Sequence, residues 1–133
     1  MARILIADDR ESMRSALRTV FVLRPDWEIC GEAMDGIETV AKATQLQPDL
    51  VLIDFRMHLS DGLTAATELN RIMPSVPIVM YTLYKTDELE AAAKLVGVRC
   101  VVAKEDGVQP LLSAIESELA KSRNHPHPGI SMR

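Results

Sequence analysis

Aromatic residues are scarce in this chain. One Trp, two Tyr and two Phe make up 4% of its 133 residues. A core must therefore be built mainly from aliphatic and alanine packing. Cysteine is nearly absent as well: Cys30 and Cys100 stand in separate apolar segments, and no CxxC pair or Cys/His cluster suggests a zinc module. No apolar run approaches the ~18 residues that cross a bilayer, and Met1-Ala2-Arg3 leads into a short strand pattern without the marks of a signal peptide. There is no surplus of positive charge. Fifteen Lys and Arg face nineteen Asp and Glu, giving a net charge of -4 with both signs scattered along the chain. Such a surface has no basic face to hold a phosphate backbone, so no direct nucleic-acid contact is expected. The expectation is a soluble, cytoplasmic protein of a reducing compartment, with no membrane partner.

What is present is a normal apolar fraction, 47%, in a length that suits one domain. Two hydrophobic rhythms alternate. Short apolar runs at Ile4–Ala7, Trp27–Ala33, Leu50–Ile53, Ile78–Tyr81 and Cys100–Ala103 have strand length and suit parallel strands covered on both faces. Between them the apolar residues return at three and four positions. Met13, Ala16, Leu17 and Val20 form one such face; Ile37, Val40, Ala41 and Thr44 form the next. Leu63, Ala66 and Leu69 lie on a third helix of roughly Gly62 to Ile72, Leu89, Ala92, Ala93 and Val96 on a fourth, and Val108, Leu111, Leu112, Ile115 and Leu119 on a fifth. Pro25, Pro48, Pro74 and Pro77 fall between elements, Asp61 and Thr86 offer capping oxygens, and Pro110 sits in the first turn of the last helix.

Five strands alternating with five helices predict an α/β, doubly wound (βα)5 three-layer sandwich with right-handed crossovers. The common order for five parallel strands is 2-1-3-4-5, the flavodoxin-like arrangement, and its ligand crevice lies at the C-terminal strand ends. The domain is expected to span residues 1–121, and residues 122–133, with Pro126, Pro128 and Gly129, to form a flexible tail. Cys30 and Cys100 then fall on opposite edges of the sheet, too far apart for a disulfide, and read as small core residues.

The strand ends carry the chemistry. The first strand ends in Asp8-Asp9, the third in Asp54, the fourth in Thr82 and the fifth in Lys104. Each follows an apolar strand directly, so the fold would bring three carboxylates, a hydroxyl and an amine to one rim. Three carboxylates side by side call for a cation. Mg2+ is a hard ion that joins carboxylates to phosphate oxygens, and a carboxylate nucleophile can form an acyl phosphate. Lys104 could neutralise one phosphoryl oxygen while the Thr82 hydroxyl donates to another. Taken singly, Asp8-Asp9 reads as a solvated loop, Asp54 as a turn or capping residue and Lys104 as a surface lysine; their joint placement reverses those readings.

Together with Asp54-Phe55-Arg56-Met57, Asp61-Gly62 and Gly31-Glu32-Ala33-Met34-Asp35-Gly36, this set resembles the response-regulator receiver domain of two-component signal transduction, as in chemotaxis-regulator-like members. The resemblance covers about Met1 to Ala120. It implies that Asp54 is the phosphoacceptor, charged by a sensor histidine kinase, a phosphotransfer protein or a small donor. It implies Mg2+ held by Asp8, Asp9, Asp54 and the Arg56 backbone carbonyl. Thr82 and Lys104 would report the phosphoryl group to a surface formed by the fourth helix, fifth strand and fifth helix, which controls a downstream protein or output domain. Catalysis would be limited to phosphoryl uptake and autodephosphorylation. The family's use of several dimer faces, including phosphorylation-dependent homodimers, leaves the oligomeric state open.

Several positions depart from the family pattern. His58 and Glu105 stand where Pro is common, Leu83 where a small residue is usual, and Val101 where an aromatic usually couples to activation. The standard coupling of Thr82 to that aromatic is therefore not expected. Arg56 and Tyr84, two residues beyond Asp54 and Thr82, occupy places that influence phosphoryl loss, and Tyr84 is expected to shield the acyl phosphate. Two other readings stay open: a phosphorylation-independent receiver-like scaffold, and the receiver fragment of a helix-turn-helix transcriptional regulator. An Asp-dependent phosphatase fits poorly, because its two acids are usually spaced by one residue and no cap domain is available.

Overall fold

The computed structural model describes residues 1–124. Five strands and five α-helices alternate: β1 (Ala2–Ala7), α1 (Glu11–Phe21), β2 (Trp27–Ala33), α2 (Gly36–Leu46), β3 (Leu50–Ile53), α3 (Gly62–Ile72), β4 (Ile78–Thr82), α4 (Asp87–Leu95), β5 (Cys100–Ala103) and α5 (Gln109–Asn124). All neighbouring strands are parallel, in the order β2-β1-β3-β4-β5. The expected doubly wound sheet is therefore the fold observed. Helix α5 runs to Asn124, three residues into the stretch read as tail, since no breaker precedes Pro126; the remainder of that stretch lies outside the described residues. Among the described residues, no helix is long and apolar enough to cross a membrane.

Strand alternation divides the core between the two faces of the sheet. Ile4, Ile6, Leu50, Leu52, Val79, Tyr81 and Val102 pack under α1 and α5, against Leu17, Phe21, Leu111, Ile115 and Leu119. Leu5, Ala7, Val51, Ile53, Ile78, Met80 and Val101 face the other way, against Ala43, Ala65, Ala66, Leu69, Leu89 and Ala93 of α2, α3 and α4. Burying each Leu or Ile side chain contributes about 1.5–3 kcal/mol. The scarcity of aromatics is met by small residues on the second face, where alanines let helices lie close to the strands. On the first face Trp27 anchors the start of β2, edge-on to Phe21 at 5.4 Å and capped by the Arg24 guanidinium at 3.9 Å.

Helix starts follow the capping oxygens. Asp61 accepts from the Thr64 N–H and Thr86 from the Leu89 N–H, as expected, and Asp35 does the same for Glu38 at the head of α2. Two expected faces are corrected. In α2 the buried residues are Gly36, Thr39 and Ala43, one position off the expected stripe, and Ile37 is 64% exposed. The small side chains let α2 sit close to the sheet, which turns the larger Ile37 outward. In α1 Ala16 is exposed and Arg14 joins Leu17 and Phe21 on the buried face. Cys30 and Cys100 are free thiols on the two edge strands, half-buried rather than fully in the core, and burial raises both thiol pKa values.

Strand β2 carries a bulge. Its register against β1 runs Ile4 to Ile29 and then Leu5 to Gly31, so Cys30 is the extra residue. The bulge reverses the alternation that follows it. Glu32 is thereby delivered to the α1 side of the sheet, and Ala33 to the opposite core.

Candidate active site at the C-terminal strand ends

The acids, Thr82 and Lys104 predicted to carry the chemistry stand at the same edge of the sheet. Asp8 and Asp9 follow β1, Asp54 follows β3, Thr82 ends β4, and Lys104 opens a short 3-10 turn, Lys104–Asp106, after β5. Asp8, Asp54, Thr82 and Lys104 are buried, whereas Asp9 is exposed. One carboxylate oxygen from each of Asp8, Asp9 and Asp54 lies within 4.8 Å of the others. The Lys104 ammonium bridges two of them, 2.7 Å from Asp8 Oδ2 and 3.1 Å from Asp54 Oδ2.

The backbone fixes these groups. The Asp54 N–H donates to Ala7 O at 3.0 Å, and the Asp8 N–H donates to Ala33 O at 3.0 Å, so both acids continue the ladder of the sheet. Asp8 Oδ1 accepts from the Arg10 N–H at 2.9 Å. Behind Asp54, Gly62 opens α3 so close to the strand end that an added Cβ would lie 2.3 Å from the Asp54 carbonyl oxygen. Only glycine allows that approach.

Electrostatics single out Asp54. Burial raises its carboxyl pKa, the Lys104 ammonium pulls it back, and the Asp8 carboxylate raises it again. Its Oδ1 is buried with no hydrogen-bond partner. One ammonium among three carboxylates leaves the pocket short of positive charge; Oδ1 makes no hydrogen bond of normal length, although the Thr82 hydroxyl lies near enough to the carboxylate to offset part of the rise in its pKa. These are the features expected of a hard divalent cation site, so the donor set fits Mg2+.

The surrounding residues divide in how they meet expectation. The Thr82 hydroxyl oxygen accepts from the Tyr84 N–H at 3.2 Å and is wholly buried. Arg56 is exposed, and its guanidinium stacks over the Tyr84 ring at 4.5 Å. Leu83 is half-exposed and faces a groove with Phe55, Leu63 and Leu89, so its bulk does not fill the space around Thr82. Val101 is buried in the core, and no aromatic takes its place. His58 is exposed, and its backbone bridges to Asp35, which ties the turn after β3 to the head of α2. Leu59 beside it adopts a left-handed backbone, φ 69°. Arg14 had no place in the reading of the sequence, and Glu32 entered it only within the stretch 31–36; Arg14 reaches the Asp8 carbonyl, and Glu32 holds Arg14. The signal available was spacing: Arg14 precedes Leu17 and Phe21 by three and seven positions, on the face that is buried.

The Response regulator receiver domain profile matches residues 4–116 of this chain. The chain belongs to that family. Acceptance of a phosphoryl group by an aspartate is the general function of receiver domains, and it holds for this chain's family as a whole. The receiver is similar to the transcriptional regulatory protein LiaR of Bacillus subtilis, 43% identical over 61 residues, which is 46% of this chain and 29% of that protein. It is also similar to protein-glutamate methylesterase/protein-glutamine glutaminase 1 of Methanosarcina mazei, 41% identical over 46% of this chain and 17% of that protein. The matched stretch spans less than a third of the length of these two curated relatives. A LuxR-family two-component response regulator from Aurantimonas superposes with a TM-score of 0.87 at 26% identity, covering 91% of this chain and 86% of the other. The response regulator domain of Thermotoga maritima CheB has the same fold, with a TM-score of 0.81 at 23% identity over 96% and 99% of the two chains.

Proposed function

We propose that Asp54 is the phosphoacceptor of this receiver, and that Asp8, Asp9, Asp54 and the Arg56 backbone carbonyl hold Mg2+ beside it. The observation that carries the reading is the convergence of three carboxylate oxygens, one each from Asp8, Asp9 and Asp54, within 4.8 Å, beside a buried Asp54 Oδ1 that makes no hydrogen bond. A carboxylate oxygen of Asp54 attacks phosphorus in the donor, the bond to the donor's leaving atom breaks, and an acyl phosphate forms. Bound Mg2+ supplies charge neutralisation for the phosphoryl oxygens. Lys104 exchanges its bond to Asp54 for one to a phosphoryl oxygen, and Thr82 turns its hydroxyl from the Tyr84 N–H to donate to another. The donor is a sensor histidine kinase or a phosphotransfer protein of the cytoplasm, and residues 1–121 form the working unit.

The readout falls on the face of α4, β5 and α5, which addresses a downstream protein or output domain. With Val101 in the core, that readout runs through Thr82 and Lys104 alone, Lys104 directly after β5 and Thr82 at the end of the neighbouring β4. The chemistry of the unit is self-directed, phosphoryl uptake and loss, and it turns over no separate substrate. Treating the protein with acetyl phosphate and Mg2+, then reducing with borohydride, converts an aspartyl phosphate to homoserine. Peptide mapping should find that conversion at position 54. Homoserine at another acid, or at none, contradicts the assignment.

A further inference from the structure

One buried cation at the site is not used by the chemistry above. Arg14 is 8% exposed, and all three of its guanidinium nitrogens are engaged. Nη1 donates to the backbone carbonyl of Asp8 at 2.6 Å, Nε to Glu32 Oε1 at 3.0 Å, and Nη2 to Glu11 Oε1 at 2.6 Å. Arg18 donates to the same two carboxylates and holds them in place. The bulge at Cys30 is what brings Glu32 to this side of the sheet, where the fork can reach it. A planar guanidinium with three fixed partners is a rigid clamp, and one of those partners is the peptide that carries the first acid of the pocket.

Asp8 is consequently held at both ends. Its side chain is fixed by Lys104 and the Arg10 N–H, and its main chain by Ala33 and Arg14. Asp9, exposed and next in sequence, takes its direction from that same peptide. We infer that Arg14 is a positioning residue for cation binding: by clamping the Asp8 carbonyl between α1 and β2 it pre-organises Asp8 and Asp9 toward Asp54. The inference rests on the receiver reading of the pocket.

Charge alone predicts the reverse. A cation this close to three carboxylates repels Mg2+, so a residue acting only through its charge would weaken binding, and its removal would strengthen it. Positioning and Coulomb repulsion therefore differ in sign. Lysine separates them further, because it keeps the charge but cannot form the three-pronged clamp.

The test is titration of Mg2+ alone into the full chain by calorimetry, for the parent, Arg14→Lys and Arg14→Met, with circular dichroism to verify that each is folded. Glu32→Asp shortens the far end of the clamp at constant charge and serves where an Arg14 variant does not fold. Partners that orient metal ligands affect affinity about 10- to 100-fold. The expected result is a Kd about tenfold weaker in Arg14→Lys, with Glu32→Asp shifted in the same direction. A phosphorylation rate largely restored at saturating Mg2+ would accompany it, which a merely structural role would not produce. Parent affinity in Arg14→Lys, or tighter binding in Arg14→Met, overturns the inference. Failure of the receiver reading looks different: the parent itself then takes no phosphoryl group at Asp54, whatever its affinity for Mg2+.

Discussion

Replacing Gly62 with alanine should damage both stability and phosphorylation, because one methyl group falls between α3 and the acceptor. The added Cβ would sit 2.3 Å from the Asp54 carbonyl oxygen and 3.0 Å from Phe55 Cα, against an ordinary contact of 3.4 Å or more. The obstructing atoms are backbone, so no side chain can turn aside, and the helix must retreat from the strand end by about 1 Å. That retreat also strains the Gly62 N–H bond to Phe55 O, 2.6 Å in the native chain. Overpacking of this kind costs about 1–3 kcal/mol. At roughly 4 °C per kcal/mol for a domain of this size, Tm should fall by about 4–12 °C. The clash bears directly on the backbone of Asp54, so part of the adjustment falls on the acceptor, and a misplacement of about 1 Å can slow a positioned reaction on the order of a hundredfold. Gly97→Ala provides the comparison. Gly97 has φ 97°, and its Cβ would meet the Asn70 side chain at 2.5 Å, at the opposite end of the sheet. It should lose about 1–2 kcal/mol through its backbone conformation while leaving the phosphorylation rate alone. Thermal unfolding and acetyl phosphate kinetics on both variants decide the matter. An unchanged Tm and rate in Gly62→Ala, or equal slowing in Gly97→Ala, would refute the reasoning.

Other outcomes follow from the same pocket. Asp54 binds its proton more tightly folded than unfolded, so its contribution is fully present below the ordinary carboxylate pKa and is lost as pH rises through the higher folded value. In chelator, the parent should therefore lose stability relative to Asp54→Asn as pH climbs from about 4; a flat difference in urea midpoints contradicts this. Mg2+ at a hundred times its Kd should stabilise the parent by about 2.7 kcal/mol at neutral pH, and Asp54→Asn by much less. Tyr84, held under the Arg56 guanidinium, should protect the acyl phosphate from water. Tyr84→Ala should shorten its lifetime, and an unaltered dephosphorylation rate would remove that role.

Much of this arrangement is legible in the residues. Strands β1, β3, β4 and β5 are largely apolar runs bounded by polar or turn residues, so their type and their ends are visible, and the acids, Thr82 and Lys104 stand at those ends. The exceptions have physical causes. The face of α2 was missed because close packing selects the small Gly36, Thr39 and Ala43 over the more hydrophobic Ile37. The bulge at Cys30 depends on pairing with β1 and leaves no mark in the apolar pattern of Trp27–Ala33. Arg14 escaped notice because a charged residue on a helix normally reads as solvated, whereas here the Asp8 carbonyl after β1, Glu32 of β2 and the exposed Glu11 of α1 all accept from a buried side chain. The partnerless oxygen of Asp54 is likewise a property of assembled elements and not of any local stretch.

The central claim is that Asp54 takes up a phosphoryl group in a Mg2+-dependent reaction. Intact-mass measurement after incubation with acetyl phosphate tests it most directly, on the parent and Asp54→Asn, with Mg2+ or with chelator. The mass of one phosphoryl group should be added to the parent in Mg2+, and none in the other three samples. Equal gain in Asp54→Asn, undiminished gain in chelator, or no gain in the parent would contradict it.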